Sequence, residues 1–88
     1  MKQMPELVVV GTVAFDSIKT PFGSADNTLG GSATYASVAA SFFAKPGVVS
    51  VVGKDFGKEH IEFLRSRGIN TTGIETVDGR TFRWSGEY

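Results

Sequence analysis

A carboxylate and a pair of glycines form the most informative cluster in this 88-residue sequence. Asp16 follows an apolar run, and Gly30-Gly31-Ser32 precedes an alanine-rich stretch. In an open parallel sheet, ligands bind at the carboxyl ends of strands, where carboxylates accept hydrogen bonds from hydroxyls and glycines permit close approach to the backbone. The cluster favours a polyol such as a sugar. The alternative is that Asp16 and the glycines only form turns, for which both residue types are common.

Other familiar chemistries lack their residues in this chain. The pair Gly30-Gly31 has no Gly-x-Gly-x-x-Gly spacing, and no Gly-Lys-Ser/Thr phosphate loop is present, although a phosphate at the following helix start is compatible with the glycines. The chain has one histidine and no cysteine, which excludes thiolate zinc sites and Cys nucleophiles. His60 is therefore predicted to lie at the surface or to pack against other side chains.

Two continuous apolar runs, at residues 7–11 and 48–53, predict the strands that position this cluster. Runs without polar alternation are typical of parallel strands covered on both faces, and the first is predicted as a central strand over 6–14. Between the runs we predict a helix that begins at Ser32, as a candidate cap, and ends before Pro46. Strand, helix and strand then form a right-handed βαβ unit.

The sequence also predicts how the helices pack and end. In the first helix small residues allow close approach to the sheet, while Phe42 and Phe43 are expected to point toward the core. A second helix has Asp55 as its candidate N-terminal cap. Gly68 followed by Ile69 predicts that it ends in a Schellman motif, with glycine in the left-handed conformation.

The last part of the chain has the composition of strands. Segments 72–77 and 81–88 are separated by Asp78-Gly79, a strong hairpin signal. Strict alternation places three aromatic residues on one face of the last segment: Phe82, Trp84 and Tyr88. This aromatic face is expected to be core, partner interface or a stacking surface for a ligand ring. Residues 19–29 are long enough for an extra strand or a short hairpin.

Composition limits the class of protein. Nine Lys plus Arg balance nine Asp plus Glu, so there is no basic excess for nucleic acid, and no apolar run is long enough for a membrane span. With 41% hydrophobic residues the chain can form a core as one small α/β domain. The absence of cysteine suits a reducing compartment, and we expect a cytoplasmic protein without a nucleic-acid or membrane partner.

The order of these segments resembles the N-terminal part of the ribokinase-like, or PfkB-type, sugar and nucleoside kinases. The matching residues are Val9-Val10-Gly11-Thr12 through Asp16, then Leu29-Gly30-Gly31-Ser32-Ala33-Thr34-Tyr35-Ala36, then Val51-Val52-Gly53-Lys54-Asp55-Phe56-Gly57. The resemblance covers nearly all of this chain but only about the first third of a typical member. We therefore expect an N-terminal fragment of such a kinase.

The resemblance implies a three-layer α/β sandwich with a small β lid, to which about residues 17–29 and 72–88 would contribute. It implies transfer of the γ-phosphoryl group of ATP, with Mg²⁺, to a hydroxyl of a sugar or nucleoside. In the family, residues matching Asp16, Gly30 and Gly31 contact substrate hydroxyls. The catalytic base, in a Gly-Ala-Gly-Asp segment, and the ATP site lie downstream of this chain, so the 88 residues are expected to be inactive alone.

Two departures from the ribokinase pattern affect the substrate. Ala14 stands where ribokinases have Asn, and the run Gly-Gly-Lys-Gly-Ala-Asn has no Lys or Asn here. Ser32 keeps a hydroxyl for hydrogen bonding, and Tyr35 offers a ring for stacking, which favours a substrate that carries a base or an aromatic group. Both are added to the candidate substrate-binding residues.

Other functions are compatible with the same residues. The main alternative is a stand-alone α/β binding or dimerisation module that uses the aromatic hairpin face to pair with a partner. For a kinase of this family, a homodimer that forms through the lid is a further expectation. A small nucleotide-binding domain is the weakest alternative, because neither phosphate-loop pattern is present.

Overall fold

The computed structural model describes residues 4–87 and arranges them in two sheets and a layer of helices. The elements are β1 (Leu7–Val10), β2 (Ala14–Thr20), β3 (Gly23–Gly30), α1 (Ser32–Ala40), β4 (Pro46–Gly53), a 3-10 helix (Lys54–Phe56), α2 (Lys58–Ser66), β5 (Ile74–Val77) and β6 (Arg83–Glu87). The main sheet has the parallel order β1-β4-β5, and the second sheet has the order β3-β2-β6. Two parallel crossovers confirm the predicted α/β class.

The core lies between the main sheet and the two α-helices. Val48 and Val52 of β4 are buried together with Ala33 of α1 and Leu64 of α2, and Ile69 closes the cluster after α2. Small residues bring α1 close to the sheet, as the sequence predicted. This packing holds the carboxyl ends of β1 and β4 near the start of α1, where the candidate cluster lies.

The opposite face of the main sheet is open among the described residues. Its exposed valines are Val8, Val10, Val49 and Val51. The prediction of strands covered on both faces is therefore wrong for this chain. The central strand predicted over 6–14 is also corrected: β1 has four residues and lies at the edge of the described main sheet. It ends early because the chain crosses from Val10 into the second sheet, where β2 begins.

The N-cap of α1 lies one residue before the predicted one. Gly31 is the N-cap, with φ of 94°, and no side chain caps the helix. Ser32 is the first helical residue, so its Oγ turns to the adjoining loop, where it accepts a hydrogen bond from the Thr12 N–H at 3.3 Å. The prediction of Ser32 as the cap is wrong, although the helix start is placed correctly.

The C-terminal end of α1 also differs from the prediction. The helix ends at Ala40, and hydrogen-bonded turns carry the chain on toward β4. Phe42 and Phe43 lie in these turns and are exposed instead of buried. Their expected direction assumed a continuous helical rotation, which stops two residues before the first ring.

Helix α2 ends as the sequence predicted. Gly68 has φ of 78°, its N–H donates to the Arg65 carbonyl at 2.9 Å, and the Ile69 N–H donates to the Leu64 carbonyl at 3.2 Å. These are the two hydrogen bonds of a Schellman motif. Because Ile69 and Leu64 are both buried, the motif fixes the direction in which the chain leaves the core.

Asp55 joins the two sheets instead of capping α2, whose N-cap is Gly57. Its Oδ1 accepts hydrogen bonds from the Thr81 N–H and hydroxyl, both at 2.8 Å, and its Oδ2 pairs with the Arg83 guanidinium. The buried Thr81 hydroxyl also accepts a hydrogen bond from the Gly53 N–H at 3.0 Å. The backbone N–H of Thr81, followed by Arg83 and the Thr81 hydroxyl, holds the pKa of Asp55 well below its usual value.

The predicted hairpin around Asp78-Gly79 is wrong. The strands on either side belong to different sheets, since β5 pairs with β4 and β6 pairs with β2. The hydrogen bonds of Asp55 draw the chain across at this point, so the turn connects sheets instead of strands. A hairpin does form between β2 and β3, which agrees with the prediction for 19–29. Tyr88 of the predicted aromatic face lies outside the described residues.

Replacing Asp55 by Asn removes the charge that Thr81 and Arg83 stabilise, so we expect a lower melting temperature for Asp55→Asn. A carboxyl with a depressed folded pKa contributes stability above its unfolded pKa of about 4, and this contribution is lost as the pH falls toward the folded pKa. The gap between wild type and variant should be constant near neutral pH and narrow below about pH 4. Thermal unfolding followed by circular dichroism measures it.

Asp78→Asn is the matched control, because Asp78 forms a highly exposed ion pair with Lys54 at 2.7 Å. Exposed pairs contribute little, so its melting temperature should stay close to that of the wild type at each pH. Equal effects of the two substitutions, or a gap for Asp55→Asn that widens in acid, would contradict the role given to Asp55.

Candidate functional site

Asp16 lies in the middle strand of the second sheet. Its neighbours across the sheet are Thr28 on β3 and Trp84 on β6. The Thr28 hydroxyl donates to the backbone carbonyl of Asp16 at 2.9 Å, which ties the two strands together beside the carboxylate. The side chain itself is only partly buried. It is therefore held in position by the sheet but remains accessible to a ligand.

The Tyr35 hydroxyl donates to Oδ2 of Asp16 at 3.3 Å. Partial removal from water raises the pKa of Tyr35, and the negative charge of Asp16 and this hydrogen bond raise it further. The phenol is protonated at neutral pH, as any tyrosine with an ordinary pKa is, and acts as the donor in this hydrogen bond. This contact brings together two of the predicted site residues, from β2 and α1, and orients the carboxylate.

Gly30 is required by the position of the Asp16 carboxylate. A Cβ atom at residue 30 would overlap that carboxylate, at 2.6 Å from its Cγ, and would lie 3.1 Å from the Tyr35 hydroxyl. Since real Cβ atoms do not approach heavy atoms so closely, any side chain here displaces Asp16. Gly30 therefore belongs to the same cluster as Asp16 and Tyr35.

Gly31 and Ser32 lie on the other side of the turn, against the loop that follows β1. A Cβ atom at Gly31 would be 2.9 Å from the Thr12 carbonyl carbon, and its φ of 94° is one that few other residues adopt. The Thr12 carbonyl also accepts a hydrogen bond from the Ala33 N–H at 2.8 Å. These contacts join the end of β1 to the start of α1, so Gly31 and Ser32 shape the turn beside the carboxylate.

Trp84 is a neighbour of Asp16 that the sequence did not place at the site. The alternation of the last segment indicated which residues share its face, but not that β6 pairs in parallel with β2. The pairing of β6 with β2 places Trp84 next to Asp16. No local signal could have shown it, because the two residues are far apart in the chain.

An apolar groove of about 670 Å³ continues from Tyr35 between α1 and α2. Its lining residues are Leu29, Tyr35, Val38, Ala39, Phe42, His60 and Phe63. The His60 ring packs at 5.1 Å from each of the rings of Phe15 and Phe56, which confirms the packing role predicted for it. Within residues 4–87, no three acidic or histidine side chains lie together as metal ligands would.

The chain matches the sequence model of the pfkB family carbohydrate kinases over residues 4–83. It is 37% identical to a cytidine kinase from Thermococcus kodakarensis over 79 residues, which is 89% of this chain and 28% of that enzyme. The match therefore spans less than a third of the length of this curated relative. The resemblance inferred from the sequence motifs is confirmed.

Solved structures confirm the predicted ribokinase-like fold. The chain superposes on a ribokinase from Cryptococcus neoformans in complex with ADP with a TM-score of 0.82 and 21% identity, over 98% of this chain and 31% of that one. A fructokinase from Halothermothrix orenii gives 0.75 and 26%, over 92% and 33%. A nucleoside kinase from Methanocaldococcus jannaschii gives 0.76 and 19%, over 97% and 33%. With its family match over most of its length, this chain belongs to the pfkB family of carbohydrate kinases.

Proposed function

We propose that this chain is the N-terminal, substrate-binding segment of an ATP-dependent kinase that phosphorylates a hydroxyl of a sugar or nucleoside. The observation that carries the proposal is the accessible Asp16 carboxylate, held between a sheet, a tyrosine hydroxyl and a glycine that leaves room for it. The similarity to a cytidine kinase supports a nucleoside as the first candidate substrate.

Each residue of the site then has a physical role. The carboxylate of Asp16 accepts hydrogen bonds from substrate hydroxyls, in exchange for the one it accepts from Tyr35. Gly30 makes room for the Asp16 carboxylate and Gly31 for the Thr12 carbonyl, so their proposed substrate contacts are made through the backbone of this turn. Ser32 holds the loop at Thr12 that borders the site. Such contacts orient one hydroxyl for transfer, and positioning is a large part of phosphoryl-transfer catalysis.

The second sheet is assigned to the lid of this site. It carries Asp16 on its middle strand, and its edges are β3 and β6. The lid would thus include residues 14–30 and 83–87. Of the segment 72–88 that the sequence assigned to the lid, β5 pairs instead in the main sheet. A homodimer through this lid stays a prediction.

The family resemblance implies that the kinase uses ATP and Mg²⁺. Within residues 4–87 no group of three acidic or histidine side chains lies together, and at the start of α1 the Ala33 N–H donates to the Thr12 carbonyl. We assign the nucleotide, the metal and the catalytic base to the remainder of the protein. When bound there, ATP supplies the phosphoryl group. The 88 residues are expected to be inactive alone.

A cytoplasmic location stays a prediction for the kinase. In the described part of the chain, no helix has the length and apolar character needed to cross a membrane.

The activity test uses the protein encoded by the complete reading frame that contains this chain, called the complete protein below. We expect ADP formation that depends on one acceptor among cytidine, adenosine, ribose and fructose, measured by a coupled assay with ATP and Mg²⁺. The 88-residue chain, assayed in parallel, should form none. A folded complete protein without acceptor-dependent ADP formation, or an active 88-residue chain, would contradict the proposal.

Asp16→Ala in the complete protein should weaken binding of the accepted substrate. Hydrogen bonds to a charged group contribute about 1–3 kcal/mol, which is roughly a 5- to 150-fold rise in Kd by calorimetry. Asp26→Asn is the control, because Asp26 is an exposed carboxylate on the adjacent strand β3. The Kd should stay unchanged in Asp26→Asn. An unchanged Kd in Asp16→Ala would remove Asp16 from the site.

Gly30→Ala should destabilise the complete protein, because the new methyl group displaces the Asp16 carboxylate. The same change in an Asp16→Ala background should cost less, since the overlapping atoms are gone. Melting temperatures of the two single variants and the double variant measure this coupling. Strictly additive effects would show that the close approach of residue 30 to Asp16 is not the constraint described.

A further inference from the structure

The pairing of β6 with β2 places an aromatic residue on the ligand-binding face of the second sheet. Asp16 is paired with Trp84, and Ile18 with Gly86, in parallel register. Paired residues project from the same face of a sheet, and residues two apart on one strand share that face. Asp16 and Trp84 therefore project side by side, from strands that are about 4.8 Å apart.

The Trp84 ring lies over Gly86 on this face. A Cβ atom at residue 86 would be 2.8 Å from Cζ3 of Trp84, so the glycine makes room for the indole along its own strand. Trp84 is also accessible to solvent, since 44% of the residue is exposed. The result is an accessible aromatic surface that begins one strand away from the Asp16 carboxylate.

Tyr35 borders the carboxylate from another direction. It belongs to α1, and its hydroxyl contacts Oδ2 of Asp16, whereas Trp84 belongs to the same sheet as Asp16. A sugar whose hydroxyls are bound to Asp16 thus has aromatic side chains from two different elements beside it. A planar ring attached to that sugar would gain contact area that a free sugar cannot use.

We propose that Trp84 is a specificity-determining residue that stacks on the base of a nucleoside while the ribose hydroxyls bind Asp16. This inference rests on the proposed function and names its substrate class: nucleosides in preference to free sugars. Stacking on an aromatic side chain tolerates different bases, because every base has a π-face. Trp84 therefore selects for the presence of a base, and other residues select which base.

The test measures the Kd values of cytidine and of ribose by calorimetry in the complete protein and in Trp84→Leu. Loss of stacking should raise the Kd of cytidine about tenfold, whereas the Kd of ribose should change less than twofold. Trp84→Phe retains a ring and should restore most of the cytidine affinity. Phe43→Leu is the matched control, because Phe43 is exposed outside the second sheet, and neither Kd should change.

A second readout does not require Trp84→Leu to fold. Cytidine should change the tryptophan emission of the complete protein saturably, and that change should be absent in Trp84→Phe. An unchanged emission, an unchanged cytidine Kd in Trp84→Leu, or an equal loss of cytidine and ribose would overturn the inference. These results leave the proposed kinase intact if acceptor-dependent ADP formation persists, whereas a folded complete protein that forms no ADP with cytidine, adenosine, ribose or fructose refutes both.

Discussion

The structure depends on the absence of a side chain at residue 30. Because Gly30 has no Cβ, the Asp16 carboxylate can lie against the turn that leads into α1, where the Tyr35 hydroxyl reaches it. A strand of one sheet and a helix packed on the other sheet thereby meet at a single polar cluster. The next residue, Gly31, makes a similarly close approach to Thr12. Neither glycine of the turn can therefore carry a side chain without a clash.

A second constraint holds β6 in place beside this cluster. Asp55, at the end of the main sheet, binds Thr81 and Arg83 at the start of β6. The Arg83 guanidinium also lies 5.0 Å from the ring of Phe15, the residue before Asp16. This chain of contacts runs from the main sheet to the strand that carries Asp16. It keeps Trp84 in register with the carboxylate, which is why a residue far from the site in sequence matters for it.

Local signals predicted the features that depend on neighbouring residues. Continuous apolar runs located β1 and β4, and Gly68 with Ile69 located the end of α2, because each pattern acts within a few positions. The motifs around Asp16 and Gly30 also predicted two residues that the structure brings together. The exposed valines on the open face of the main sheet were not predicted, because an apolar run indicates a strand but does not show whether both of its faces are covered.

Long-range hydrogen bonds explain two of the errors, the predicted cap at Asp55 and the predicted hairpin at Asp78-Gly79. Asp55 is of a residue type that commonly caps helices, but its carboxylate instead accepts hydrogen bonds from Thr81 and Arg83. The same contacts separate β5 from β6, so a dipeptide typical of hairpins became a crossing between sheets. Neither outcome is visible in any short window of sequence. The position of Trp84 beside Asp16 is a consequence of that crossing.

The most direct test is a crystal structure of the complete protein with cytidine. The account predicts a ribose hydroxyl within hydrogen-bond distance of the Asp16 carboxylate, the Tyr35 hydroxyl displaced from Oδ2, and the base against the Trp84 indole. Cytidine bound elsewhere, with the contact between Tyr35 and Asp16 intact, would contradict the assignment of this cluster as the substrate site.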